Sequence, residues 1–166
     1  MRNYIIILAL SLVSNWVYSQ GHTLRKEDLT TGKHLSKGEF SIDLSGDWIC
    51  SQCANNIKIH ITEDTKHFVQ PPIDVYYDRI NIKVTKFIYD GKDISKQFKD
   101  TIELINPYAR YILGQYHDPT TGNLMKLEIT EANTNQFILI VKKPEVDIVK
   151  NNRGFIFPEK IVFVRY

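Results

Sequence analysis

The chain has 166 residues, of which 21 are Lys or Arg and 19 are Asp or Glu, so the formal net charge is +2. Lys and Arg are scattered along the sequence, a pattern that lacks the electrostatic signature of a nucleic-acid-binding protein. The length suits one ordinary domain, large enough to bury a core without metals or several disulfides.

The first 19 residues have the three parts of a secretory signal peptide. A basic start at Arg2 precedes the apolar run Tyr4–Val13, and Val17-Tyr18-Ser19 forms a cleavage box. The apolar run is too short to span a bilayer, which takes about 20 residues. The sequence therefore predicts a soluble protein that begins at Gln20, has no membrane span, and is exported to the periplasm or the cell exterior.

Two segments of different character follow the signal peptide. Residues 20–40 are polar and lack sustained periodicity, so we expect a flexible leader or one short helix. Residues 41–166 alternate apolar and polar side chains, which predicts a single β domain. Ile57–Ile61 is one such strand. The alternation of residues 80–89 slips by one position near Lys86, where we expect a β-bulge.

Turn residues separate the remaining strands. Asp90-Gly91, Asp118-Pro119 and Asn133 favour short connections, so neighbouring strands should be antiparallel. The sequence predicts an all-β fold with about eight or nine strands, an antiparallel meander forming a barrel or a strongly curved sheet. Helix is limited to about one turn at Glu145–Lys150. The remaining predicted strands are Asp47–Cys50, Ile73–Asp78, Thr101–Ile105, Arg110–Tyr116, Leu124–Thr130, Gln136–Val141 and Lys160–Tyr166.

Two of these strands are apolar on both faces, at Phe137–Val141 and Ile161–Val164. In an antiparallel sheet such strands are covered on both sides, or they present a wall to a ligand or partner. We expect the leader or the loop of residues 145–158 to provide the cover.

The tripeptide Gly46-Asp47-Trp48 opens the first confident strand, and Arg165 lies in the last. This arrangement resembles the calycins, in which a Gly-x-Trp of the first strand packs at the closed end of a lipocalin-like barrel under a basic residue of the final strand. More closely, residues 45–166 resemble an uncharacterised family of small exported Gly-x-Trp proteins of Bacteroidota. Tyr76-Tyr77-Asp78-Arg79 and the lead into the last strand, residues 154–158, are further points of similarity.

The resemblance implies a lipocalin-like barrel, export, and structural roles for Gly46, Trp48 and Arg165. It implies no activity. The pair Cys50 and Cys53 departs from the family pattern, so nothing about the cysteines follows from the resemblance.

The cysteine pair is the only local motif with chemistry in it. In an oxidising compartment we expect a disulfide between Cys50 and Cys53. A redox pair would need a helix N-terminus to lower a thiol pKa, and a strand follows instead. A zinc site would add His60 and His67, although these histidines are further apart than in compact sites. A free or intermolecular thiol is the remaining alternative.

Carboxylates on separate strands are the other candidates for chemistry, because a convergent pair would suit glycoside hydrolysis, but most such side chains are simply solvated. They are Asp74, Asp78, Glu103 and Glu128. The sequence contains no Gly-x-Ser-x-Gly elbow, His-Glu-x-x-His motif or phosphate-binding glycine loop.

We interpret the chain as an exported, non-enzymatic binding or interaction module, with no catalytic residue, metal or cofactor assigned. A small apolar molecule and an envelope protein are its candidate partners, and nucleic acid is not one. One alternative is a small thiol-disulfide or zinc-binding protein centred on Cys50 and Cys53. Another is a structural surface protein that pairs through exposed strands.

Overall fold

The computed structural model describes residues 33–35, 42–53, 56–70, 72–108, 111–143 and 156–166. Within these residues the fold is all-β, and the one helix is a single 3₁₀ turn at Ser95–Gln97. The predicted class is therefore confirmed. The predicted signal peptide, most of the leader and the predicted turn at residues 145–150 lie outside the described residues.

The strands of the described residues follow the predicted order. They are β1 (Lys33–Leu35), β2 (Gly46–Cys50), β3 (Lys58–Gln70), β4 (Ile73–Lys86), β5 (Ile88–Tyr89), β6 (Lys92–Asp93), β7 (Ile102–Tyr108), β8 (Tyr111–His117), β9 (Leu124–Thr130), β10 (Gln136–Lys142) and β11 (Lys160–Arg165).

Eight strands close into an antiparallel barrel. Their order is β4-β3-β2-β11-β10-β9-β8-β7, and β7 pairs with β4 to complete the circle. Arg165 lies opposite Trp48 where β11 meets β2, and Ile80 lies opposite Leu104 where β4 meets β7. Strand β1 lies beside β4, and β5 and β6 form a separate hairpin. This is the architecture expected of a lipocalin-like barrel.

The chain divides into two compact units. Among the described residues, the first unit contains β1 and the adjoining ends of β3 and β4, residues 67–70 and 72–76. In this unit His67 Nε2 lies 2.7 Å from Asp74 Oδ1, and the His67 and Tyr76 rings stack with centroids 4.0 Å apart. The second unit contains the barrel.

Large apolar side chains occupy the interior of the barrel. Alternation along each strand sends one face inward, and burying each such side chain stabilises the fold by about 1.5 to 3 kcal/mol. The interior of an eight-stranded barrel is wide enough either for side chains to fill it or for one small ligand. Those with no more than 2% exposure include Trp48, Ile59, Ile61, Ile82, Leu104, Met125, Leu127, Phe137 and Phe163.

One glycine sets the close approach of β7 and β8. A Cβ atom on Gly114 would clash with the Leu104 side chain and would lie 2.5 Å from the carbonyl oxygen of Glu103. Because Gly114 lies directly opposite Leu104, any larger residue would push the two strands apart.

The structure differs from the sequence prediction at several places. Strand β1 lies in the segment that we expected to be a flexible leader or a short helix. The predicted β-bulge near Lys86 is wrong: β4 ends at Lys86, Phe87 turns into the core, and a new strand begins at Ile88. Strand β3 runs to Gln70, nine residues beyond the predicted end at Ile61. Polar pairs across β3 and β4 take the place of apolar alternation there, as Thr65 Oγ1 donates a hydrogen bond to Asp78.

The two doubly apolar strands are buried on their outer faces as well. Ile138 and Val162 lie opposite each other, with 4% and 8% exposure, and neither belongs to the core cluster inside the barrel. The segments that we expected to cover them lie mostly outside the described residues.

Candidate functional site

The three residues singled out by the resemblance come together at one end of the barrel. The guanidinium carbon of Arg165 lies 4.8 Å from the centroid of the Trp48 ring, within the range of a cation–π contact. The Trp48 indole N–H donates to the carbonyl oxygen of Leu44 at 2.7 Å, and Arg165 donates to that of Asp43 at 2.8 Å. Gly46 has a φ of 122°, and a Cβ atom there would lie 3.7 Å from Arg165. Residues 43–48 and Arg165 therefore close this end.

A glutamate takes part in the same closure. Glu63 Oε1 accepts a hydrogen bond from the backbone N–H of Leu44 at 2.7 Å. Burial raises the pKa of Glu63, the Leu44 N–H opposes the rise, and the charges of Asp43 and Asp78 add to it. The sequence analysis missed this residue, because Glu63 lies on a polar stretch that carries no strand signal.

Cys50 and Cys53 form a disulfide at the opposite end of the barrel, with their Cα atoms 5.5 Å apart. Cys50 belongs to the core, at 6% exposure, and lies opposite Phe163 of β11. Its backbone N–H donates to the carbonyl oxygen of Ile57 at 2.9 Å. Strand β3 is the next element, so among the described residues no helix N-terminus follows the cysteines to lower a thiol pKa. The arrangement staples the connection between β2 and β3.

The two histidines of the zinc alternative have carboxylate partners. His60 Nδ1 lies 2.7 Å from Asp47 Oδ1, and His67 pairs with Asp74 as described above. Both cysteine sulfurs are bonded to each other. Within the part of the chain that the structure describes, no three His, Cys, Asp or Glu side chains form a group suited to a metal ion.

The predicted strand carboxylates have separate partners. Glu128 pairs with Lys142 at 2.9 Å, and Asp78 accepts the Thr65 hydroxyl. Glu103 contacts Arg79 at 2.9 Å, and Arg79 also pairs with Asp64. The Arg79 hydrogen bonds hold the pKa of Asp64 below its ordinary value and raise that of Arg79. The contacts of Arg79 and Asp78 tie β3, β4 and β7 together on the outside of the barrel, and Glu128–Lys142 joins β9 to β10.

A buried aspartate anchors the disulfide end, at 1% exposure. Asp118 Oδ1 accepts from the backbone N–H groups of Thr120 and Thr121, both at 2.9 Å, and from the Thr120 hydroxyl at 2.7 Å. Asp118 Oδ2 accepts from the backbone N–H of Ile156 at 2.8 Å. The carboxylate therefore joins the β8–β9 turn to the chain that leads into β11. The sequence analysis identified Asp118 only as a turn residue.

An aromatic cluster covers the core at this end. Phe87, Phe98 and Phe157 lie with ring centroids 5.0 to 5.5 Å apart, and the Tyr116 ring stacks on Phe98 at 6.3 Å. Burial raises the pKa of Tyr116. Both ends of the barrel are thus closed by the chain's own side chains.

Comparison with protein-family models, curated proteins and solved structures finds no match for this chain. The resemblance to the Gly-x-Trp family consequently stays a prediction, and the fold assignment rests on the barrel itself. In the described part of the chain no helix has the length and apolar character needed to cross a membrane.

Proposed function

We propose that this chain is an exported, non-enzymatic interaction domain that contacts its partner through the outer surface of the barrel. The observation that carries the proposal is the filled interior, where Trp48, Phe137 and Phe163 pack against one another. A ligand inside would have to displace side chains from a close-packed core.

The polar side chains at the two ends support the same proposal. Glu63 holds the closing segment, Asp118 holds the chain before β11, and the cysteines form a disulfide. Each of these groups is used in maintaining the fold. None of these contacts is the nucleophile–base hydrogen bond by which nucleophilic catalysis is recognised.

A ligand titration followed by tryptophan fluorescence tests the filled interior. The chain has two tryptophans, and removal of the signal peptide leaves Trp48 alone, inside the barrel. We expect no saturable change in Trp48 emission when oleate or benzene is added to the mature protein. The variant Leu127→Ala is the positive control, because it opens an apolar cavity of the kind that binds benzene.

Saturable one-to-one binding by the unaltered protein, with a change in Trp48 emission, would contradict the proposal. It would support instead the small apolar ligand considered in the sequence analysis.

Export has a separate test. N-terminal sequencing of protein recovered outside the cytoplasm should begin at Gln20. Recovery of a cytoplasmic protein that begins at Met1 would refute export and leave the interaction surface untouched.

A further inference from the structure

Lysines that are far apart in the sequence lie at the same end of the folded barrel. Four connections between barrel strands lie at the disulfide end. They join β2 to β3, β4 to β7, β8 to β9, and β10 to β11. The described residues at this end, within 50–57, 83–101, 117–126, 142–143 and 156–160, carry nine lysines, no arginine and five acidic residues. Glu128 of β9 pairs with one of these lysines, Lys142, at 2.9 Å, so the net charge with Glu128 included is +3. We call this surface the basic end.

Three of these lysines lie in the connection between β4 and β7, and two more lie in the last four residues of β4. Lys83, Lys92, Lys96 and Lys99 are exposed, and Lys86 is half-buried. The connection between β4 and β7 forms the β5–β6 hairpin and the 3₁₀ turn, and it places Phe87 and Phe98 over the core. The lysines are therefore fixed on a packed part of the barrel.

The opposite end has the reverse charge. Its described residues, within 42–47, 62–66, 77–79, 130–135 and 164–166, carry six acidic side chains against Lys66, Arg79 and Arg165. The Lys58 ammonium also reaches this end, 4.5 Å from the centroid of the Tyr166 ring, so the net charge is −2. The described residues of a near-neutral protein thus carry net charges of opposite sign at the two ends of the barrel. Such a distribution orients the molecule in the field of a charged surface.

An exposed aromatic side chain lies among the lysines. Tyr89, at 45% exposure, is next to the Asp90-Gly91 turn of the β5–β6 hairpin and directly opposite Lys92. Tyrosine is enriched at membrane–water interfaces because its ring is apolar and its hydroxyl is polar. Lysines around such a ring match a surface of anionic headgroups.

We propose that the basic end binds an anionic lipid surface, with Tyr89 entering the interface and the lysines facing the headgroups. This inference rests on the proposed interaction function and names its partner. Lipid is favoured over nucleic acid because the exposed Tyr89 gains from an apolar boundary.

Vesicle cosedimentation tests the proposal with the mature protein. We expect binding to vesicles of phosphatidylcholine mixed with an equal part of phosphatidylglycerol, and none to phosphatidylcholine alone. Each lysine removed should weaken binding about fivefold, so the variant Lys92→Gln/Lys96→Gln/Lys99→Gln should lose about a hundredfold. Added salt should weaken binding by the unaltered protein.

Two single variants form a matched pair, because Lys96 and Lys66 are both exposed and lie at opposite ends. Lys96→Gln should weaken vesicle binding and Lys66→Gln should not. Tyr89→Ala should also weaken it. Urea unfolding of each variant checks that the barrel is intact, and a destabilised variant is replaced by Lys83→Gln, which removes another exposed charge of the same end.

Three results would overturn the proposal: no binding to the mixed vesicles, equal weakening by the Lys66 and Lys96 substitutions, or binding to a double-stranded DNA oligonucleotide as tight as to the vesicles. The last would identify a nucleic acid as the partner. Competition by inorganic phosphate at low concentration would likewise indicate a free-anion site and contradict a lipid surface. None of these results affects the Trp48 titration, so failure of the lipid proposal and failure of the interaction function are distinguishable.

Discussion

Asp118 provides a quantitative test of how the disulfide end of the barrel is held together. Its carboxylate accepts three hydrogen bonds from residues 120 and 121 and one from the backbone N–H of Ile156. Thr120 is exposed and Thr121 is half-buried. If the carboxylate is removed, water can therefore accept the hydrogen bonds of their backbone N–H groups. Ile156 is 7% exposed, and its N–H would be left without an acceptor.

The variant Asp118→Ala removes both carboxylate oxygens. An unsatisfied buried N–H costs about 1 to 3 kcal/mol, and a net hydrogen bond in the turn contributes about 1 kcal/mol. Together these terms predict a loss of about 2 to 4 kcal/mol in the free energy of unfolding. Asp118→Asn keeps one oxygen acceptor and places an NH₂ group at the other position, so it should lose about 1 to 3 kcal/mol.

Urea denaturation of the two variants measures these losses. Thr120→Val is the matched control, because it removes the hydroxyl donor while Asp118 keeps its other contacts. It should cost about 1 kcal/mol. If Asp118→Ala unfolded within about 0.5 kcal/mol of the unaltered protein, the carboxylate would not hold the chain before β11, and the reasoning would be refuted.

Three further predictions concern the rest of the barrel. Trp48→Ala should cost about 3 to 5 kcal/mol by urea unfolding, as other large core truncations do; a midpoint equal to that of the unaltered protein would contradict the closed end. Replacing Cys50 and Cys53 together by Ser should cost about 2 kcal/mol or less, because the disulfide closes a short loop, and a larger loss would mean that the staple governs the fold. The third concerns Glu63, whose pKa is higher in the folded protein than in the unfolded chain. Its contribution to stability is therefore complete below the pKa that Glu63 has in the unfolded chain. That contribution is lost as the pH rises through the raised pKa of the folded state. Glu63→Gln keeps an acceptor oxygen and does not titrate, so its stability relative to that of the unaltered protein should rise as the pH increases above the ordinary Glu pKa of about 4.3; a difference that does not change with pH would rule out the titration of this carboxyl as the cause.

Strands with apolar alternation were predictable, and strands held by polar contacts were not. Residues 124–130 were predictable from sequence because their inward side chains are buried at alternate positions, and residues 136–142 because they form a short, nearly continuous apolar run. The outer half of β3 carries mostly charged and hydroxyl side chains, so no period of two is visible there. Its pairing with β4 depends on contacts such as Asp64–Arg79, which only the folded chain reveals.

The sites divide in the same way. Gly46, Trp48 and Arg165 were identified through a short motif, and Cys50 and Cys53 through their spacing. The link from Asp118 to Ile156 joins residues 38 positions apart, and no local pattern records it. The basic end could not be predicted, because its lysines belong to separate parts of the sequence. Which strand ends lie together becomes visible only in the folded barrel.

The pairing of β2 with β11 also governs how the barrel forms. Arg165 contacts Asp43, 122 positions earlier in the chain, so this seam closes a very long loop. Pairings between distant residues are slow to form, because chain entropy is lost before any contact repays it. We therefore expect the seam to join late, and until it does, β2 and β11 each present an unpaired edge that is open to other chains. Pairing of these edges with other chains therefore competes with closure of the barrel. The yield of folded protein should fall as the protein concentration during refolding is raised.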